Sequence, residues 1–166
     1  MLFYAHAGAR SHPVGTLMSR PRDLFLLTSL RQIDELLASK PRIRPAVNQI
    51  EVHPFNPRSA LCTFCTNKNI KIQAYAPLAR ALRMKHPTIL SLAKKYECTP
   101  AQLMVRWSLQ RGYIPLPKST RKERIVENAE VGGFEISEGD VKVMEGLDEG
   151  LVTGEFSLLF ISLVEG

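Results

Sequence analysis

Apolar positions between residue 24 and about residue 150 follow two rhythms in turn. Asp23 to Ser29 is a short apolar run of strand length, or the start of a helix. Gln32 to Ala38 carries apolar residues at 33, 36 and 37, a spacing that predicts a helix. Ala46 to Val52 alternates and is β-branched, which predicts a strand. Asn56 and Pro57 open a helix that runs through Leu61, Phe64 and Cys65. Ile70 to Tyr75 predicts a second strand, ended by Pro77. A helix over Thr88 to Tyr96 follows. The next is capped by Thr99 with Pro100 at its first position, carries Leu103, Val105, Trp107 and Leu109, and stops at Gly112. Tyr113 to Pro117 is a third strand-like run. Arg121 to Ala129 predicts a helix with Ile125 and Val126 inside it. Ser137 to Asp140 caps a last helix with Val141, Val143, Met144 and Leu147 on its apolar side.

Strands alternating with helices read as successive βα units on a parallel sheet. Such connections are right-handed, which leaves an open doubly wound sheet or an arc of a barrel. Either places a ligand at the C-terminal ends of the strands, here Gln49 to His53, Tyr75 to Leu78, and Pro117 to Thr120. Outside this region the periodicity fails. Residues 1–22 mix Gly, His, Ser and Pro and are expected to be irregular or disordered. Residues 23–153 form the patterned body, and residues 154–166 form an apolar tail.

Composition narrows the class. The chain has 166 residues, 45% of them hydrophobic and 23% charged, an ordinary globular balance. A complete eightfold βα barrel typically needs about 250 residues, so only part of one fits. The net charge of +6 suits an anionic partner or a solvated lysine surface. A nucleic-acid partner is not expected, because aromatic and basic residues do not interleave on one face. Three cysteines, Cys62, Cys65 and Cys98, with no secretory signal point to a reducing compartment, and a cytoplasmic location is expected. A mitochondrial leader stays open, since Arg and Ser occur before the first acid at Asp23. No window reaches the roughly 18 apolar residues of a membrane span.

The three strand ends differ in chemistry and complement one another. The first offers Asn48 and Gln49, carboxamides that donate and accept. The second offers Tyr75, an aromatic face with a polar tip. The third offers Lys118, Ser119 and Thr120 before a helix that carries Arg121, Lys122 and Arg124, an anion site suited to phosphate. Together they suit a nucleotide better than a simple anion, although no GxGxxG or Walker pattern is present. Taken singly, Gln49 also reads as an interior polar residue, Tyr75 as core, and Lys118 to Arg124 as a solvated helix start. Cys62 and Cys65 form a CxxC without a second pair or a nearby His, so helix packing is expected and no metal site. Trp107 reads as a core residue.

Pro45-Ala-Val-Asn-Gln-Ile-Glu-Val-His-Pro54, Ile72-Gln-Ala-Tyr-Ala-Pro-Leu78 and Ile114-Pro-Leu-Pro-Lys-Ser-Thr120, followed by Arg124-Ile-Val-Glu-Asn128, resemble the aldo-keto reductases. Thr99-Pro-Ala-Gln-Leu-Met-Val-Arg-Trp107 and Leu109-Gln-Arg-Gly112 fit the same family in the same order. The resemblance runs from about Gln32 to Thr153. It implies an α/β fold, a partial (β/α)8 TIM-type barrel made of about the last three βα units and a C-terminal helix. It also implies NADP(H) as cofactor and a small carbonyl compound as substrate. By the same resemblance Gln49 would bind the nicotinamide carboxamide and Tyr75 would stack on its ring. Ala76, Pro77 and Leu78 would lie along the pyrophosphate. Lys118, Ser119 and Arg124 would hold the 2′-phosphate, and Glu127 and Asn128 the adenine. The family usually has Ser where this chain has Ala76, so one hydroxyl contact of the pattern has no donor here.

The resemblance covers only the family's C-terminal half. The family's acid tyrosine, with its lysine, aspartate and histidine, belongs to the other half, so no catalytic residue is assigned. His53 sits in the Gln-Ile-Glu-x-His-Pro motif and reads as structural. Tyr4 and His6 have no lysine or aspartate in motif context. The expectation is a truncated, cofactor-binding half with little or no carbonyl reduction of its own. The alternative is a non-catalytic NADP(H)- or anion-binding, partner-pairing module. Exposed barrel edges would favour self-association.

Overall fold

In the computed structural model the chain falls into two compact units, Met1–Arg44 and Pro45–Gly166, of which residues 29–154 are described. The run from Asp23 to Phe25 and on to Thr28, the segment 1–22 expected to be irregular, and residues 155–166 lie outside the described residues.

The first unit contributes α1 (Leu30–Ala38). Ser29 caps it: the Ser29 hydroxyl accepts from the Gln32 amide while the Gln32 side chain accepts from the Ser29 amide. This reciprocal cap serves two otherwise unpaired amides, so the helix begins two residues before the apolar periodicity does. Ile33 and Leu36 are its buried stripe.

The second unit runs β1 (Val47–Glu51), α2 (Ser59–Asn67), β2 (Lys71–Tyr75), α3 (Pro87–Lys95), α4 (Pro100–Gln110), β3 (Ile114–Leu116), α5 (Lys122–Ala129) and α6 (Glu138–Glu145). A single 3-10 turn, Ala79–Ala81, stands between β2 and α3. The strands form one sheet in the order β1-β2-β3, parallel throughout. This is a partial α/β barrel: βα units in chain order, neighbours in sequence being neighbours in the sheet.

Register assigns the two faces of the sheet. Asn48 pairs with Ile72, and Ile50 with Ala74; all four are buried. On the other face Gln49 pairs with Gln73, which pairs with Ile114, and Glu51 pairs with Tyr75, which pairs with Leu116. That second face is more open, with Ile114 42% and Leu116 37% exposed. α2 packs on β2 and α4 on β3. Trp107 is fully buried in α4 and meets the Tyr113 ring edge-on at 6.1 Å, as a core residue should. Thr99 and Gln102 form a capping box at the start of α4, and Gln110 at its end donates to and accepts from the Ile136 backbone, both at 2.8 Å.

Two elements depart from the apolar pattern for local reasons. α2 begins at Ser59, not at Asn56 or Pro57, because Asn56 exchanges backbone hydrogen bonds with His53 and Arg58 turns left-handed at φ 47°. α6 ends at Glu145, so Leu147 lies past it and Val143 is 49% exposed; Met144 alone is buried. Ile125 and Val126 are also exposed, and Asn128 is the one buried residue of α5.

Candidate functional site

The C-terminal ends of the three strands lie side by side, since Glu51, Tyr75 and Leu116 are register partners. Gln49 stands one step back on β1, and its amide donates to Oε1 of Gln73 at 3.0 Å. The bond spans neighbouring strands and leaves Gln49 its oxygen as an acceptor. Tyr75 is half-buried at the end of β2.

Beyond Tyr75 the backbone turns sharply. Ala76, Ala79, Arg80 and Ala81 all have φ between 46° and 64°, a left-handed region that costs L-residues roughly 1 kcal/mol each. A cluster of such residues marks a place where backbone shape serves something other than stability. Pro77 is buried within this turn and Ala76 and Leu78 are half-buried. The Ala79 amide donates to the Ala76 carbonyl at 2.8 Å and closes the turn.

Past Leu116 come Lys118, exposed, and Ser119. The Ser119 hydroxyl accepts from the Arg121 amide at 3.1 Å and donates to the Arg121 carbonyl at 3.3 Å. It therefore shapes the turn before α5. The N-cap of α5, Arg121, makes no side-chain capping bond, so the first amides of α5 are not served by a cap and face the positive end of the helix dipole. Arg124 is exposed in the first turn, and Glu127 and Asn128 follow three and four residues on, on the same face. Glu127 is half-buried and Asn128 is 7% exposed. These features fit an anionic ligand: uncapped amides, an exposed lysine and an exposed arginine at one helix start.

A cluster the periodicity does not reveal lies next to this rim. Glu51 is 3% exposed. Its carboxylate accepts from the Thr153 amide at 2.8 Å, the Gly154 amide at 3.0 Å and the Thr153 hydroxyl. Nε2 of the fully buried His53 is 3.2 Å away. Burial pushes the Glu51 carboxyl up, but the bonds from His53, the Thr153 hydroxyl and the two amides outweigh it and hold its pKa down at about 2. His53 thus sits in a buried polar pair with Glu51. Alternation alone puts Glu51 on the face opposite the buried Asn48 and Ile50, where an acid reads as solvated.

Other titratable groups lie in the packing. Cys62 and Cys65 are buried in α2, and burial pushes both thiols up. Burial likewise pushes the Tyr113 hydroxyl up, aided by Cys62. An open groove of about 910 Å³ is lined by α4, α6 and the 135–138 segment and includes no residue of the strand-end rim. Along it Arg106 donates to Gln110, and Arg111 pairs with Glu145 at 2.8 Å. Among the described residues no helix is long and apolar enough to cross a membrane.

A parallel βα arc with an amide, an aromatic ring and a basic helix start on its C-terminal rim defines part of an α/β barrel. The aldo/keto reductase family profile matches residues 27–149, and the chain belongs to that family. It is 46% identical over 117 residues to an uncharacterized oxidoreductase of Schizosaccharomyces pombe, covering 70% of this chain and 42% of the relative. It is 43% identical over 124 residues to an aldehyde reductase of Saccharomyces cerevisiae, covering 73% of this chain and 39% of the relative. A crystal structure of a Bombyx mori aldo-keto reductase in complex with NADP superposes with a TM-score of 0.72 at 31% identity, covering 76% of this chain and 44% of that one. The chain therefore spans less than half the length of these relatives.

Proposed function

We propose that this chain is the NADP(H)-binding half of an aldo/keto reductase barrel, with residues 23–153 as the family-like body between segments 1–22 and 154–166. The observation that carries the reading is the rim itself. Gln49, Tyr75 and the Lys118–Arg124 turn stand on adjacent strand ends in the order the family motif requires. Gln49 holds the nicotinamide carboxamide through its acceptor oxygen, and Tyr75 offers the ring a platform. The left-handed turn Ala76, Pro77, Leu78 lies along the pyrophosphate. Lys118, Arg124 and the turn shaped by Ser119 hold the 2′-phosphate, and Glu127 and Asn128 receive the adenine.

When bound, the cofactor supplies the hydride for reduction of a small carbonyl compound. This chain's own part is binding and orientation. Carbonyl reduction also needs a proton donor within reach of the carbonyl oxygen, and the roles assigned to the rim residues are all cofactor-binding ones. We therefore assign the chain alone little or no carbonyl reduction. The three free thiols support a cytoplasmic setting.

Titration of the purified chain with NADPH, followed by quenching of Trp107, tests the reading. Saturable binding that is lost in Lys118→Ala and in Arg124→Ala supports it. Absence of binding at millimolar cofactor removes it.

A second reading is favoured by one observation, the open sheet face and the exposed Ile114, Leu116, Ile125 and Val126. Apolar side chains at a strand edge and on a neighbouring helix invite a partner. Two copies related by a twofold axis along the strands would pair β3 of each with β1 of the other, keeping every strand parallel. Sedimentation velocity distinguishes this dimer from a monomer.

A further inference from the structure

Glu51 is a buried acid that the cofactor reading does not use. A carboxylate with 3% exposure is costly unless its oxygens are bonded. Three of its four donors come from Thr153 and Gly154, residues 102 and 103 positions further along the chain. The acid therefore pins a late segment to the end of an early strand. The rest of that segment is laid down in the same direction. Glu149 and Leu151 donate their amides to the Phe55 carbonyl at 3.2 and 3.0 Å, and Arg83 pairs with Glu149 at 2.6 Å.

This strap ends against Tyr75. A Cβ at position 154 would stand 2.9 Å from the Tyr75 hydroxyl oxygen, 3.4 Å from its Cε2 and 3.4 Å from Oε2 of Glu51. Glu51 and Tyr75 are themselves register partners on β1 and β2. The carboxylate, the strap and the edge of the aromatic ring thus meet at one point, where an added side chain would press on the Tyr75 hydroxyl.

We infer that Glu51 is a positioning residue for Tyr75: it draws Thr153 and Gly154 against the edge of the ring and so sets where the ring stands on the rim. For its effect on cofactor this rests on the NADP(H) reading above; for the strap and the ring it does not. A carboxylate is required because it accepts four bonds on two oxygens. A carboxamide has one acceptor oxygen, and its NH₂ would face another donor, either the Gly154 amide or the Thr153 amide.

The test compares wild type, Glu51→Gln, Thr153→Val and Gly154→Ala by amide hydrogen exchange, by ¹⁹F resonance of 3-fluorotyrosine (Tyr75 assigned with Tyr75→Phe), and by NADPH titration. In Glu51→Gln the amides of 149–154 should exchange about tenfold faster while those of α4 keep their rates. The Tyr75 resonance should shift or broaden, and the NADPH Kd should rise about three- to tenfold. Thr153→Val, which keeps the amides, should give a smaller change in the same direction. Gly154→Ala should move the Tyr75 resonance with Glu51 intact. Unchanged strap exchange in Glu51→Gln overturns the inference, as does a loosened strap with an unmoved Tyr75 resonance. Equal loosening of α4 and the strap also overturns it, because Glu51 would then support only the fold. If wild type binds no NADPH, the cofactor reading fails, and exchange and resonance still decide the role of Glu51.

Discussion

The Gln49 amide donates to Oε1 of Gln73 across β1 and β2 at 3.0 Å, at matched register. The bond orients one carboxamide with another, and its geometry follows from two strands each placing a glutamine on the open face. Gln73→Leu removes the acceptor and frees Gln49 to rotate. NADPH affinity should fall by about three- to tenfold, near 1 kcal/mol, with little change in thermal midpoint. Isothermal titration beside a melting curve separates the two.

Stability should depend on Glu51 in acid. Its carboxyl titrates near 2 in the folded chain against an ordinary 4.5. The folded state therefore binds the proton less well than the unfolded one. The stabilisation is complete above the unfolded value and is lost as pH falls from about 5 toward 2. The gap is worth roughly 3 kcal/mol. Urea midpoints measured at pH 7, 4 and 3 should fall in wild type and vary less in Glu51→Gln.

Lys118 and Arg124 flank the start of α5 from exposed positions. If they hold the 2′-phosphate, Lys118→Ala and Arg124→Ala should each weaken NADPH by about tenfold and NADH by much less. Added salt should narrow the wild-type preference. Paired titrations at low and at physiological salt read both effects.

Trp107 is fully buried and packs on Tyr113. Truncation to Ala leaves a cavity in α4 and should destabilise the chain by about 3 to 5 kcal/mol. Thr99→Ala, which removes the α4 cap but no core volume, should cost about 1 kcal/mol. Denaturant unfolding of the two variants, followed by circular dichroism, checks the ranking.

Exposed Ile114 and Leu116 on β3 give the self-association reading a direct test. Ile114→Lys should shift a dimer to monomer in sedimentation velocity without altering the circular dichroism of the helices, because a charge at a strand edge discourages pairing.

Much of the architecture is written in local patterns. Alternation marks β1 and β2, Thr99 with Pro100 marks the start of α4, and Ser137 marks α6, because caps and periodicity act over a few residues. The proposed rim residues Gln49 and Tyr75 lie on patterned strands, and Lys118 and Arg124 lie in the turn and helix that follow the third. Where another contact outweighs the apolar pattern, the sequence misleads. The His53–Asn56 turn delays α2 to Ser59, and Val143 turns outward although it belongs to an apolar stripe. Most remote of all is the strap. Glu51, Tyr75 and Gly154 share no motif, and nothing local ties an acid on β1 to amides 102 and 103 residues later. Parallel pairing sets Glu51 beside Tyr75, and burial then makes the carboxylate seek donors wherever the chain brings them. The short-range residue pattern carried the βα order and the chemistry of each strand end. Which strand ends share a rim, and which distant backbone closes over it, depended on long-range packing that no local spacing encodes.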